Sequence, residues 1–179
     1  MSLVCSSCGK VVETLPIHCG YSITINKETN QWECNMKNCG TISFNDFLCE
    51  SCCTNKNIMN ITKSIERLSK VNEEFNDELA PYNRKIIQTT LNDSDFNYWV
   101  TFGEGEFKCG KGEMEGATVH VSCSQEIMNQ ILLGNSDAFS EFLRGNLKLE
   151  GDPQYAVVYF DLIKLALEIG SEIGGVPLE

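Results

Sequence analysis

Between Lys56 and Leu79 the chain places Ile58, Ile61, Ile65, Leu68, Val71 (or Asn72), Phe75 and Leu79 at intervals of three and four residues. That spacing draws one apolar stripe along a helix, which Pro81 ends. The opposite face mixes both charge signs, so the stripe predicts core packing and not a basic membrane-surface anchor. From residue 84 the period shortens. The segments RKIIQTTL, FNYWVTF, EFKCG and ATVHVSC are rich in β-branched and aromatic residues and are separated by turn-forming stretches. They predict four strands in an antiparallel meander, with Val119, Val121 and Cys123 on one face of the last strand and His120 on the other.

Two helical runs follow, SQEIMNQILLG and SDAFSEFLRG, with Ser124 and Ser136 as N-caps and a glycine closing each. The segment NLKLE alternates as a strand. Asp152 then caps, and Pro153 opens, a helix that is apolar nearly all round: Val157, Val158, Phe160, Leu162, Ile163, Leu165 and Leu167. Such a helix must be covered on more than one side, by protein or by an apolar ligand.

The 179 residues, 42% of them hydrophobic, suffice for one medium core plus a small appended module. Net charge is -11, divided as -2 over residues 1–55 and -9 over the rest, so no basic patch is concealed and nucleic-acid binding is disfavoured. No run approaches the length of a membrane span, and MSLVCSSCGK lacks the form of a signal peptide. A cytoplasmic protein without stable membrane insertion is expected. In a reducing compartment its ten cysteines are read as metal ligands or inert core residues, not disulfides.

Eight of those cysteines fall in residues 1–55, where apolar periodicity is weakest. Cys5 and Cys8, and Cys49 and Cys52, are separated by two residues, which lets both sulfurs reach one tetrahedral ion; Cys34 and Cys39 form a third pair. Glycine after Cys8, Cys19 and Cys39 permits positive φ at those turns. Three pairs make six ligands where one zinc takes four, so Cys19 with His18, or Cys53, would complete a second site. Two zinc ions are expected, held in closed structural shells. Iron in a four-cysteine site is the alternative. Pairing of the cysteine segments is open between an interleaved arrangement, first with third and second with fourth, and a sequential one. The stretch from Trp32 through Cys34, Cys39 and the later pair loosely resembles a zinc ribbon.

Catalytic chemistry finds little support. His120 has no carboxylate partner in sequence, Cys109 and Cys123 read as small buried hydrophobes, and GEGEFKCGKGEMEG lacks the lysine and strand-to-helix context of a phosphate loop. Cys53 is the candidate for a free reactive thiol. Exposed Trp32, Phe44 and Phe47 would be the contacts if the cysteine module docks a partner protein.

The succession ATVHVSCSQEIMNQILLGNSDAFSEFLRGNLKLEGDPQYAVVYFDLIKLALE resembles the sterol carrier protein type 2 (SCP2) family. The likeness covers roughly residues 84–170, about half the chain, and Ala138–Asp152 is its most specific part. It implies an α+β fold: a five-stranded, mainly antiparallel sheet covered by helices, with an apolar tunnel that binds fatty acids, acyl-CoA, sterols or other lipids and holds no catalytic residues. The tunnel candidates are Ile127, Ile131, Leu132, Phe139, Phe142, Leu143, Val158, Phe160, Leu162 and Ile163. The expected organisation is a cysteine-rich zinc-binding module at 1–55, a linking helix at 56–83 packed on the following domain, and the SCP2-like domain at 84–179.

Overall fold

The computed structural model describes residues 3–12, 17–18, 21–22, 24–26, 31–33, 42–43 and 48–172. The chain divides into two compact units, Met1–Cys53 and Thr54–Glu179. The described strands of the first unit are short: β1 (Leu3–Val4), β2 (Val11–Val12), β3 (Ile17–His18), β4 (Tyr21–Ser22), β5 (Thr24–Asn26), β6 (Gln31–Glu33) and β7 (Ile42–Ser43). They pair antiparallel as β1 with β2, β3 with β4, and β5-β6-β7. No apolar periodicity runs through them.

Two helices come next, α1 (Glu50–Val71) and α2 (Glu73–Leu79). The expected single helix from Lys56 to Leu79 is corrected at its start and in its interior, while its end at Leu79 holds. It starts earlier, where the carbonyl of Cys49 accepts the first helical bond from the N–H of Cys53, in a polar stretch that carries no apolar stripe. It also breaks at Asn72, whose backbone is extended and whose Oδ1 accepts from the N–H of Phe75 at 2.8 Å, capping α2. Val71 is consequently 82% exposed, whereas Phe75 and Leu79 are fully buried.

The second unit continues with β8 (Lys85–Leu91), β9 (Asn97–Gly103), β10 (Glu106–Lys111), β11 (Val119–Cys123), α3 (Gln125–Leu132), α4 (Ala138–Leu143), β12 (Leu147–Gly151) and α5 (Pro153–Glu172). The five strands form one sheet in the order β10-β9-β8-β11-β12. Only the first three make a meander. β11 crosses to the far side of β8 and runs parallel to it, with Val119 beside Ile87 and Val121 beside Thr89, and β12 adds antiparallel outside. The sheet is thus mixed and mainly antiparallel.

The expectation of a four-strand meander fails because the segment after β10 is long enough to cross the sheet and is fastened as it does so. The buried Gln88 of β8 donates from Nε2 to the carbonyls of Tyr98 and Gly112 and accepts at Oε1 from the N–H of Met114. The N–H of Thr118 then donates to the carbonyl of Ile86. Gly151 closes β12 at φ +102, so close to the Thr118 carbonyl that a Cβ would collide with it.

Inward positions on the sheet carry the core. Ile87 and Thr89 of β8 stand beside Val100 and Tyr98 of β9, and Ile87, Thr89 and Leu91 stand beside Val119, Val121 and Cys123 of β11. Phe107 of β10 packs on Phe75 of α2, ring centroids 6.3 Å apart, and Phe102 stacks on Tyr159 of α5 at 6.4 Å. On the opposite side of the sheet His120 is exposed, as its strand alternation predicts. Among the described residues no helix is long and apolar enough to cross a membrane.

Caps fix the helical layer. Ser124 accepts from Ile127 N–H as expected, and Asp152 accepts from Gln154 N–H ahead of α5. The cap of α4 is Asp137 instead of Ser136: its carboxylate takes the N–H of Ser140 at 2.9 Å, while Ser136 donates its hydroxyl to Glu141. Glu141 is almost fully buried, and Arg144 and Asn146 also donate to it.

Two measurements follow from these contacts. Gln88→Met keeps the side-chain length but leaves the Gly112 carbonyl and Met114 N–H without their partner, so urea unfolding is expected to show a loss of about 1–3 kcal/mol; an unchanged midpoint would remove Gln88 as the fastening of the crossover. Lys164, first, and then the Ser140 N–H lower the Asp137 carboxyl from its ordinary 3.8 to about 2. The folded value lies below the unfolded one, so this stabilisation is complete above about pH 4 and is lost as pH falls toward about 2. Stability of Asp137→Asn should therefore decline less over that window than that of the wild type.

Candidate functional site

Among the described residues two places gather chemistry, one in each unit. In the first, the antiparallel β1 and β2 bracket a tight turn. The N–H of Cys5 donates to the Lys10 carbonyl and the N–H of Gly9 to the Cys5 carbonyl, both at 2.9 Å, with Gly9 at φ +72. This turn places the sulfurs of Cys5 and Cys8 together, and the glycine following the second cysteine takes the left-handed conformation expected of it. The other pair uses a helix start: Cys49 immediately precedes α1 and Cys52 lies in its first turn.

The Sγ atoms of Cys5, Cys8, Cys49 and Cys52 all lie within 4.8 Å of one another, with Cys8 and Cys49 3.7 Å apart. A disulfide needs about 2.05 Å, and all four are free thiols. Four sulfurs around an ion at the usual zinc–sulfur distance would be about 3.8 Å apart, so the cluster has the dimensions of a tetrahedral metal site. First joins fourth, a nested arrangement contained in neither the interleaved nor the sequential pairing. His18 falls in β3, and Cys19, Cys34 and Cys39 lie outside the described residues.

Electrostatics within the cluster are unequal. At Cys5 burial, the largest influence, pushes the thiol up, but the backbone N–H groups of Cys49, Cys8 and Ser7 outweigh it and bring it to about 6. Burial, and after it the neighbouring thiols, raises Cys52 to about 12, and burial also raises Cys49. One sulfur ionises readily and its neighbours then resist. A cation among them reverses that resistance, because it neutralises the charge each further thiolate would add.

Burial lifts both Cys109 and Cys123 to about 12. Cys53 is half-buried in α1. Of the partner contacts expected in the first unit, Trp32 lies in β6, and Phe44 and Phe47 lie outside the described residues.

The second unit holds a groove of about 480 Å³ between α5 and the end of α3 with the segment that leads into α4. Its apolar lining is Ile131, Ala138, Phe160, Ile163 and Leu167, and its polar lining includes Asn135, Ser136, Asp137, Lys164 and Glu168. Lys164 donates to Asp137 at 2.6 Å across the groove. Gly134, at φ +74, turns the chain out of α3 and leaves the space open.

Three of the ten tunnel candidates, Ile131, Phe160 and Ile163, line this groove. Leu132 and Leu162 are buried in the core, and Ile127 and Val158 pack against it. Phe139, Phe142 and Leu143 stand on the outer side of α4 and are 62%, 42% and 70% exposed. The cause is the shortness of α4, whose inward positions are taken by Ala138 and Glu141. The polar members of the groove fall outside the apolar set expected from the sequence; Phe160, Ile163, Lys164, Leu167 and Glu168 share one face of α5 by their three- and four-residue spacing, a signal available in the sequence.

Several solved structures are similar to this chain. The inverting sec-alkylsulfatase Pisa1 from Pseudomonas sp. is 20% identical with a TM-score of 0.44, over 49% of this chain and 14% of the sulfatase, so this chain spans about one-seventh of that enzyme. The ubiquinone synthesis protein UbiJ-SCP2 is 14% identical with a TM-score of 0.46, covering 67% of this chain and 95% of its own. Palmitated SCP2L2 from Aedes aegypti is 15% identical with a TM-score of 0.46, covering 58% and 91%. No curated protein matches the chain. Residues 65–164, reaching back into α1 beyond the likeness read from residue 84, match the SCP-2 sterol transfer family. With more than half of its length in that match, and the five-stranded sheet and helical layer that accompany it, the chain belongs to the SCP-2 sterol transfer family.

Proposed function

We propose that this protein is a non-enzymatic binder and carrier of apolar ligands. Family membership supports lipid or sterol carriage at the coarse level. The observation that carries the reading is the groove of about 480 Å³, whose apolar floor of Ile131, Ala138, Phe160, Ile163 and Leu167 is edged by polar side chains. That volume falls in the range of small-molecule sites, and an apolar floor with a few polar groups suits a lipid-like ligand. In this reading Ile131, Phe160 and Ile163 are groove wall, Ile127, Leu132, Val158 and Leu162 are packing behind it, Phe139, Phe142 and Leu143 stay outside the site, and acyl or sterol-like molecules are the ligands to try.

The cysteine cluster is proposed as a structural zinc site. Cys5, Cys8, Cys49 and Cys52 fit the ion in number, softness and spacing. Four thiolates leave no open position for water or substrate, so the ion would supply folding energy to a unit poor in apolar pattern instead of a reaction. A second zinc would draw on Cys34 and Cys39 with His18, Cys19 or Cys53.

An apolar fluorescent probe displaced saturably by lipids tests the first proposal. Leu167→Trp, which fills the groove edge, is expected to weaken displacement by roughly tenfold while thermal unfolding stays cooperative; lipid affinity untouched by the bulky residue would place binding elsewhere. For the cluster, Cys8→Ser and Cys49→Ser should each lower the zinc content by one ion per chain, and a strong chelator should lower the melting temperature of the wild type. Zinc content equal to the wild type in both variants would sink the assignment.

A further inference from the structure

Three hydroxyls meet inside the apolar layer between the sheet and α5. Thr89 and Tyr98 are cross-strand partners, so they project side by side from the inner face of the sheet. Tyr159 comes down from α5, and its hydroxyl bears on that of Tyr98 closely enough for each to affect the other's ionisation. All three residues are fully buried. None of the three hydroxyl oxygens has a hydrogen bond of full geometry, and the partners within their reach are each other, with Tyr98 between Thr89 and Tyr159.

Buried polar groups in folded proteins are nearly always paired, and an unpaired one is costly where an apolar side chain of the same shape would not be. Phenylalanine and valine would fill the same space. Three hydroxyls in a row that reach only one another make at most two bonds and leave one donor over, which asks for a partner that is present only part of the time. Burial holds both phenols well above their usual range, so they remain neutral donors at physiological pH. The way in is short: Phe160 lies on the groove floor and its ring packs against that of Tyr159, centroids 5.0 Å apart.

We propose that Thr89, Tyr98 and Tyr159 form a hydrogen-bonding subsite for the oxygen of a neutral, otherwise apolar ligand (an alcohol, ketone or ester) whose hydrocarbon body extends toward the groove. Entry requires the Phe160 ring to turn aside. A carboxylate does not suit the place, because a buried anion needs a cation. The groups that act most strongly on the phenols are each other, Thr89 and the thiols of Cys109 and Cys123. Lys164, at the groove, is already held by Asp137, with Asp161 and Glu168 beside it. The inference rests on the apolar-ligand reading above and adds what the ligand's buried end must be.

Dodecanol and dodecane, competed in turn against an apolar fluorescent probe on the full chain, separate the two ideas. The wild type is expected to prefer the alcohol by roughly tenfold, and Tyr98→Phe and Tyr159→Phe, which keep the rings and their packing, should each abolish most of that preference while leaving dodecane binding unchanged. Melting temperatures of the ligand-free variants should equal or exceed that of the wild type. A wild type that binds both compounds equally, or variants that retain its preference, would overturn the subsite and leave the carrier reading standing. Binding of neither compound would overturn both.

Discussion

Strand β8 has a neighbour on each side, and the second unit depends on what that makes possible. With β9 antiparallel at one edge and β11 parallel at the other, Ile87, Thr89 and Leu91 are flanked on the inner face by residues of both. Parallel pairing needs a crossover, and the crossover needs its backbone groups satisfied where it passes over the sheet. Gln88 meets that need from the same strand, facing the opposite way from the core residues on either side of it. One strand thus organises the core with alternate side chains and fastens the crossover with the one between them.

The helical layer follows from that inner face. Tyr98, Phe102 and Phe107 supply large rings, and Phe75 and Tyr159 come down on them from α2 and α5. The layer is less complete where α3 ends at a left-handed glycine and α4 runs for only six residues. Glu141 spends its buried carboxylate on Ser136, Arg144 and Asn146, which ties the segments before and after α4 to each other. The groove is what this arrangement leaves beside α5. Phe160, Ile163 and Leu167 of its floor and Lys164 of its ion-paired edge come from consecutive turns of α5, while Ile131, Ala138 and Asp137 come from α3, α4 and the cap of α4.

Among the described residues of the first unit, long-range structure brings together four cysteines. A hairpin turn and a helix start are unrelated pieces of backbone, yet each presents two sulfurs in the right spacing. The nested pairing of Cys5 and Cys8 with Cys49 and Cys52 closes a loop of more than forty residues.

Local physics was open to reading along the chain. Strand alternation gave the inward face of β11, caps gave the starts of α3 and α5 and a glycine the end of α3, and the spacing of Cys5-Cys8 and Cys49-Cys52 gave two cysteine pairs, because each depends on neighbours a few residues apart. The resemblance centred on Ala138–Asp152 gave the family. What the sequence could not decide was everything that depends on which segments meet. The break at Asn72 was hidden because its cap competes with a stripe that continues past it. The parallel placement of β11 was hidden because strand pattern is the same on either edge of a sheet. Which cysteine pair joins which, and the meeting of Thr89, Tyr98 and Tyr159, arise only when residues far apart in sequence pack together; spacing fixes the reach of a side chain, and the tertiary fold fixes what lies within that reach.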